Sequence, residues 1–358
     1  MLEVNIKKSL QAFKLEVTFS VDHEILAILG PSGSGKTMTL QCIAGLVQPD
    51  EGYIKLNDRV LLDSSRRINM KPRIRKVGFV FQNYALFPHL TVRDNIGYGI
   101  RHLSKSDIEA KVSKLLDTMH ITDLGYRYPR QLSAGQQQRV AMARAIAPEP
   151  EVLLLDEPFS ALDSQVKERL EMELIKLQEF YQGIILLVTH NLAEGYKLAS
   201  KIAVYDAGEI LQCDNKGKLI GSPASLTVAK FMGFRNLLTG TIEEIEDSNM
   251  RIVVPELGTL RALRHKNSCL TPGLPVTIGI RSEYVQVSEH PGENTVHGSV
   301  SEVVDEITAT RCFFQAGRNA EYSLEAVLRS EPGNALALGT ELDFHFPPEH
   351  LVVIQQKK

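Results

Sequence analysis

The run Gly30-Pro31-Ser32-Gly33-Ser34-Gly35-Lys36-Thr37 has the residue types and spacing of a phosphate-holding loop. Its glycines let the backbone turn tightly, so that successive N–H groups point at phosphate oxygens. Lys36 suits the terminal phosphates, and the Thr37 hydroxyl suits a magnesium ion. A chance Gly-rich turn is the plain alternative, but an apolar run, Ile25 to Leu29, precedes the loop and a helical pattern follows it. A second element, Val152 to Leu155 followed by Asp156, Glu157 and Pro158, brings two carboxylates to the end of an apolar strand, where α/β sheets bind ligands. Neighbouring strand residues face opposite ways, so the two acids have different tasks. Asp156 suits the magnesium shell; Glu157 suits an attacking water, as general base or orienter. Two solvated loop acids would be the ordinary reading, and the four apolar residues before them argue against it. Together the two elements imply a nucleoside triphosphatase of the phosphate-loop type and no narrower class.

Positioning these groups takes alternating strands and helices around a parallel sheet. Leu15, Val17, Phe19 and Val21 alternate with polar neighbours, as a half-buried strand does. Residues 36–47 have helical spacing, Pro49 to Gly52 is a turn, and strands are expected over 53–62 and 76–81. A helix over 104–119 is capped by Ser104 or Ser106, with Ile108, Val112, Leu115, Leu116 and Met119 on its apolar face. Further helices are expected over 134–147 and 163–180, and buried strands at 152–155 and 184–188. Past Gly233 the texture changes to short alternating segments split by Gly and Pro, which reads as an all-β domain. Within it, Leu238 to Ile245 and Val296 to Val303 are alike, each with a glycine ahead of an alternating strand, and read as the starts of two half-repeats. The expected domains are therefore 1–233 and 234–358.

A chain of 358 residues has room for two domains. Its formal net charge of −3 carries no basic excess, so nucleic acid is not an expected partner. There is no apolar run of about 18 residues to span a bilayer, and the opening Met1 to Asn5 lacks the pattern of a signal peptide, so the expected location is the cytoplasm. Cys42, Cys213, Cys269 and Cys312 lie far apart and read as free thiols rather than metal ligands.

One further run narrows the class. Leu132-Ser133-Ala134-Gly135-Gln136-Gln137-Gln138-Arg139-Val140, shortly before the Asp156–Glu157 strand, resembles the signature sequence of the ABC ATPases. Physically it is a second anion nest, a serine and a glycine opening a helix; alone it would be an N-cap. Where the family pattern has glycine, this chain has Ala134. Gln82 resembles the family's Q-loop glutamine, which ligates magnesium and senses a membrane partner. His190 resembles the switch histidine at the γ-phosphate, and Ser160 to Asp163 the loop that crosses the dimer interface. The resemblance covers residues 1 to about 232. It implies an α/β P-loop NTPase domain with a helical subdomain and a C-terminal all-β, OB-like regulatory domain. It also implies ATP and Mg2+ as ligands, and a homodimer in which Ser133, Gly135 and Gln136 of one copy cover the nucleotide of the other. The run from Phe87 to Ile96 and the one from Phe231 to Gly240 resemble importer subunits. They imply a prokaryotic peripheral protein on the cytoplasmic face of the membrane, bound to permease subunits and served indirectly by an extracytoplasmic binding protein. The opening from Lys8 to Phe19 and the run Val60 to Asp63 look most like molybdate importers, with tungstate and sulfate next. Importers of iron, spermidine or sugar are the alternatives, and a soluble non-transport ABC ATPase is a further one. Phe13 is the nearest candidate to stack on adenine, and is equally readable as a core residue.

Overall fold

Leu15, Val17, Phe19 and Val21 do face one side, on β2 (Lys14–Val21), which pairs antiparallel with β1 (Leu2–Ser9). The computed structural model describes residues 1–10, 13–160, 162–181, 183–264, 270–317, 320–329 and 336–355. Packing divides the chain into two units, Met1–Lys216 and Gly217–Lys358.

In the first unit β3 (Ile25–Leu29) runs into α1 (Lys36–Ala44). The strand expected over 53–62 is a hairpin, β4 (Glu51–Leu56) and β5 (Arg59–Asp63), because Asn57 takes a left-handed φ of 52° and turns the chain. β6 (Ile68–Asn69) and β7 (Val77–Val80) follow. Three helices then form a cluster, with α2 (Val92–Gly97) packed on α3 (Lys105–Thr118) and α4 (Ala134–Ile146). Ser104 caps α3, its oxygen accepting from the Asp107 N–H. The chain returns through β8 (Val152–Asp156), α5 (Ser164–Phe180), β9 (Ile184–Thr189), α6 (Leu192–Leu198), β10 (Lys201–Asp206) and β11 (Glu209–Asn215). All eleven strands form one sheet, ordered β6-β5-β4-β1-β2-β11-β10-β3-β9-β8-β7. Every residue of β3, β8 and β9 is buried, as parallel strands covered on both faces must be. The far end of α1 is held by Arg75, wholly buried, whose guanidinium donates to the carbonyls of Cys42 and Ile43 and to Asn69 Oδ1. It fills the space a side chain at Gly45 would need, 2.6 Å from that Cβ.

The second unit opens with α7 (Lys216–Gly221) and α8 (Leu226–Phe231), followed by two five-stranded antiparallel sheets. The first contains β12 (Asn236–Ile245), β13 (Asn249–Val254), β14 (Gly258–Leu263), β15 (Pro275–Ile280) and, at its edge, the last strand of the chain. The second contains β16 (Gln286–Ser288), β17 (Thr295–Asp305), β18 (Ala309–Ala316), β19 (Tyr322–Arg329) and β20 (Glu341–His345). The edge strand of the first sheet is β21 (Val352–Gln355). The two orders, β14-β13-β12-β15-β21 and β19-β18-β17-β20-β16, are copies of each other. In each, a five-strand repeat places its last strand in the other's sheet: β16 pairs with β20, and β21 with β15. The expected half-repeats sit on β12 and β17, both central, each with a bulge four residues past its start residue, at Ile242/Glu244 and Val300/Glu302. Gly240 and Gly298 take matching places. A Cβ there would sit 2.8 Å from the Val253 carbonyl oxygen in one case and 2.7 Å from the Phe314 ring in the other.

Candidate functional site

Gly30 follows β3 directly, and a Cβ on it would lie 2.4 Å from the carbonyl oxygen of Tyr205 on β10. Gly33 and Gly35 have φ of +80° and +99°, the left-handed region that residues with a Cβ avoid. Gly35 begins α1 and no side chain caps that helix, so its first N–H groups are offered to a ligand, with the helix dipole favouring an anion. Ser34 is buried and its hydroxyl has no partner among the described residues. An orphaned donor at the uncapped start of α1 fits a phosphate oxygen. Lys36 folds back on the loop, its ammonium donating to the carbonyls of Gly30 and Pro31 at 2.8 Å each. Burial pulls its pKa down, and the charges of Glu157 and Asp156 oppose that pull.

The remaining groups arrive from neighbouring parallel strands. Leu29 is level with Thr189, Asp156 with Val188, and Val80 with Leu155. Four adjacent strands, β3, β9, β8 and β7, therefore end side by side and deliver Gly30–Thr37, His190, Asp156–Glu157 and Gln82. Thr37 Oγ1 donates to Asp156 Oδ1 at 2.9 Å. Burial pushes the Asp156 carboxyl upward, against the help of the Thr37 hydroxyl, and the neighbouring Glu157 charge adds to the rise. A hard cation would relieve this carboxylate. No cluster of three His, Cys, Asp or Glu side chains among the described residues could hold a metal, but magnesium that leans on substrate phosphates needs only one or two protein oxygens. Thr37 and Asp156, joined by their hydrogen bond, carry such oxygens, while Gln82 turns its amide nitrogen to Glu157.

Glu157 takes φ +45° and donates its N–H to the Val188 carbonyl oxygen. A non-glycine residue held in that region costs of order 1–3 kcal/mol, and such strain collects at functional sites. Its Oε2 accepts from Gln82 Nε2 at 3.2 Å, and His190 Nδ1 lies 3.4 Å from the same oxygen. Three side chains from three strands thus meet at one carboxylate. Behind His190 lies a network that no spacing in the sequence announced. Thr189 Oγ1 donates to Glu194 on α6 and accepts from the Asn191 N–H, while Lys167 on α5 pairs with the same Glu194. A cleft lined by Glu157, Ser160, Lys167, His190 and Glu194 opens here. A roomier, apolar-walled cavity lined by Leu56, Leu115, Met119, Leu177 and Ile184 lies instead at the starting ends of β8 and β9 and contains none of these groups. The chemistry, and the rule that α/β sheets bind at strand C-termini, favour the strand ends that carry Gly30–Thr37, Gln82, Asp156 and Glu157, which the smaller cleft borders through Glu157 and His190.

Ser133, Gly135 and Gln136 do not join this group through any hydrogen bond among the described residues. Ser133 caps α4 by accepting from the Gln136 N–H, and Gln136 Oε1 returns to the Ser133 N–H at 3.0 Å, a closed capping box. Ser133 and Ala134 are exposed. Gly135 is buried, and what leaves it no room for a side chain is Val166 of α5, 2.5 Å from where its Cβ would be, rather than a phosphate. Asp163 caps α5 through the Val166 N–H, and Ser160 Oγ donates to the Glu157 carbonyl oxygen; Ala161 between them lies outside the described residues. The ring of Phe13 is partly buried against the core and sits 3.2 Å from the Cβ position of Gly35. Cys42, Cys213 and Cys312 are free thiols, and Cys269 lies outside the described residues. No helix of the described residues is long and apolar enough to cross a membrane.

Known proteins resemble this chain along much of its length. The ABC transporter family profile matches residues 15–160. A spermidine/putrescine import ATP-binding protein of Pseudomonas aeruginosa is 39% identical over 287 residues, 78% of this chain and 77% of that protein. A sulfate/thiosulfate import ATP-binding protein of Mycobacterium bovis is 46% identical over 225 residues, 62% of each chain. The dimeric structure of a bacterial ABC transporter cassette matches with a TM-score of 0.53 and 30% identity, over 60% of this chain and 98% of that one.

Proposed function

This chain belongs to the ABC transporter ATP-binding family, and from that premise we propose that it is the ATP-hydrolysing subunit of an importer, with an oxyanion such as sulfate, molybdate or tungstate as the cargo. The observation that carries the hydrolytic reading is the meeting of Gln82, Glu157 and His190 at one oxygen, beside the loop of Lys36 and Thr37.

In this reading the amides of Gly33 to Thr37 and the α1 dipole hold the β- and γ-phosphates, and Lys36 leaves the loop carbonyls to follow the terminal phosphate. Thr37, Asp156 and Gln82 would hold Mg2+, which would spread the phosphate charge. Glu157 Oε2 accepts the proton of the water that attacks the γ-phosphorus. The bond to the bridging oxygen breaks, and ADP and phosphate result. His190 and Gln82 fix the carboxylate and face the transferred group. One chain has one set of loops, so a second copy, related by a two-fold axis, supplies Ser133, Gly135 and Gln136 over the nucleotide. The match to a dimeric cassette supports this arrangement. Integral-membrane permease subunits, which this chain meets at the cytoplasmic face, and an extracytoplasmic binding protein beyond them complete the importer. The β strands past residue 233 are its regulatory module, and packing groups α8 with them in one unit.

The 46% identity to a sulfate/thiosulfate importer subunit favours an oxyanion. The longer match to a spermidine/putrescine subunit, over 287 residues, favours a polyamine as the second reading. The transporter reconstituted in vesicles decides between them. ATP turnover should rise when the binding protein is loaded with sulfate or molybdate; a rise with spermidine alone would replace the oxyanion by the polyamine.

A further inference from the structure

The stretch that carries Gln82 is built in an unfavourable way. After β7 the Phe81 carbonyl oxygen accepts the Tyr84 N–H at 2.8 Å, closing a tight turn around Gln82 and Asn83. The Asn83 carbonyl oxygen then accepts the Ala85 N–H at 2.7 Å. Tyr84 and Ala85 have φ of 62° and 44°, two consecutive left-handed residues, neither of them glycine. Nothing in the run Phe81-Gln82-Asn83-Tyr84-Ala85 prefers that shape, so something outside must hold it.

That group is Arg144 on α4, the helix opened by Ser133. Its Nη2 donates to the Tyr84 carbonyl oxygen at 2.8 Å and its Nη1 to the Ala85 carbonyl oxygen at 2.7 Å. The two arms of one planar fork thereby take the two carbonyls that the turns leave free. The guanidinium also lies over the Phe87 ring, 5.3 Å from its centre. It is half-buried, with no carboxylate partner among the described residues, and burial draws its pKa down. A desolvated cation spent on two backbone oxygens is costly unless it holds something needed.

We propose that Arg144 is a positioning residue for ATP hydrolysis: its fork clamps the left-handed turn at Tyr84 and Ala85 and so sets Gln82 against Glu157, which links the helix that faces the partner copy to the hydrolytic carboxylate. The inference rests on the hydrolytic reading of Gln82 and Glu157. The full-length chain tests it through Arg144→Lys, Ala85→Gly, their combination, and Ala85→Val. Arg144→Lys cannot fork; it should lower kcat about tenfold or more with KM for ATP within about twofold. In the nucleotide-free chain, amide exchange at Tyr84 and Ala85 should rise at least about tenfold. Ala85→Gly in that background should recover most of the lost kcat, since glycine takes the turn unaided. Ala85→Val, which leaves Arg144 in place and opposes the left-handed turn, should reproduce the fall even if Arg144→Lys fails to fold. An unchanged kcat in Arg144→Lys and Ala85→Val, or a loss that Ala85→Gly does not relieve, overturns the proposal. An unmutated chain that does not hydrolyse ATP overturns the site reading itself.

Discussion

The phosphate loop with its acidic strand end and the Ser133–Gln136 loop belong to the same unit, yet they are finished in opposite ways. The first is assembled across the sheet: Thr37 meets Asp156 and Gln82 meets Glu157, pairs separated by 119 and 75 residues. It nevertheless keeps unspent groups, an uncapped helix and an orphaned Ser34 hydroxyl. The second is assembled locally. Ser133 and Gln136 satisfy each other three residues apart, and the loop shows solvent an exposed Ser133 and Ala134. A region that keeps donors idle inside its own fold is waiting for a ligand. A region whose groups are already satisfied and turned outward acts by being carried onto something else. On the proposed reading, binding and sealing are divided between two surfaces, and a second copy brings them together.

The largest effect should come from Glu157→Gln. Gln82 and His190 still find an oxygen, ATP still binds, and turnover falls by at least about a hundredfold because the proton acceptor is gone. Near-normal hydrolysis would remove Glu157 from the chemistry and with it half of the comparison. Gly135→Asp comes next and acts on the other surface. It forces a carboxylate in beside Val166, within the loop that should cover the partner's γ-phosphate, and a like charge about 4 Å from that phosphate, with an effective dielectric near 20, would cost about 4 kcal/mol. ATP affinity of the separate copies should hold while ATP-driven dimerisation, measured by light scattering, is lost. Since Val166 already fills this space, the thermal midpoint should fall as well; a midpoint that falls with dimerisation intact would make Gly135 a packing glycine only. Asp156→Asn should separate binding from stability. Burial raises the pKa of Asp156 above its unfolded value, so its ionised form weakens the nucleotide-free fold as pH rises through that interval. The amide should therefore raise the melting temperature at neutral pH while abolishing magnesium-dependent turnover; a lower melting temperature would contradict a desolvated carboxylate. The smallest effect belongs to Ala134→Gly. Ala134 is exposed in the first turn of α4 with negative φ, so glycine costs the helix up to about 1 kcal/mol, and ATPase rates should stay within a few-fold.

How far residue order alone reached differs with the range of the interaction. The phosphate loop, the Asp156–Glu157 strand end, the caps at Ser104 and Ser133 and the alternation along β2 were all legible, because each rests on contacts within a few residues. The likeness of Leu238–Ile245 and Val296–Val303 foretold two similar sheets, since equal patterns fold into equal strands. Less was legible where a single residue broke a pattern, as when Asn57 split one expected strand into two.

Sequence by itself therefore determined which chemical groups this protein has, which helices and strands carry them, and that a phosphate-binding α/β unit is followed by a repeated β unit. Tertiary structure alone decided that β3, β9, β8 and β7 lie side by side, so that Gln82, Glu157 and His190 converge. It also decided that Val166 occupies the space beside Gly135, that Arg144 holds the turn after Gln82, and that the two β repeats exchange their last strands. The reason is physical. Periodicity and capping act over one or two turns of chain and leave their mark in neighbouring residues, whereas strand order is settled by closing loops of tens of residues around a common core, and many sequences share the local pattern without sharing the closure.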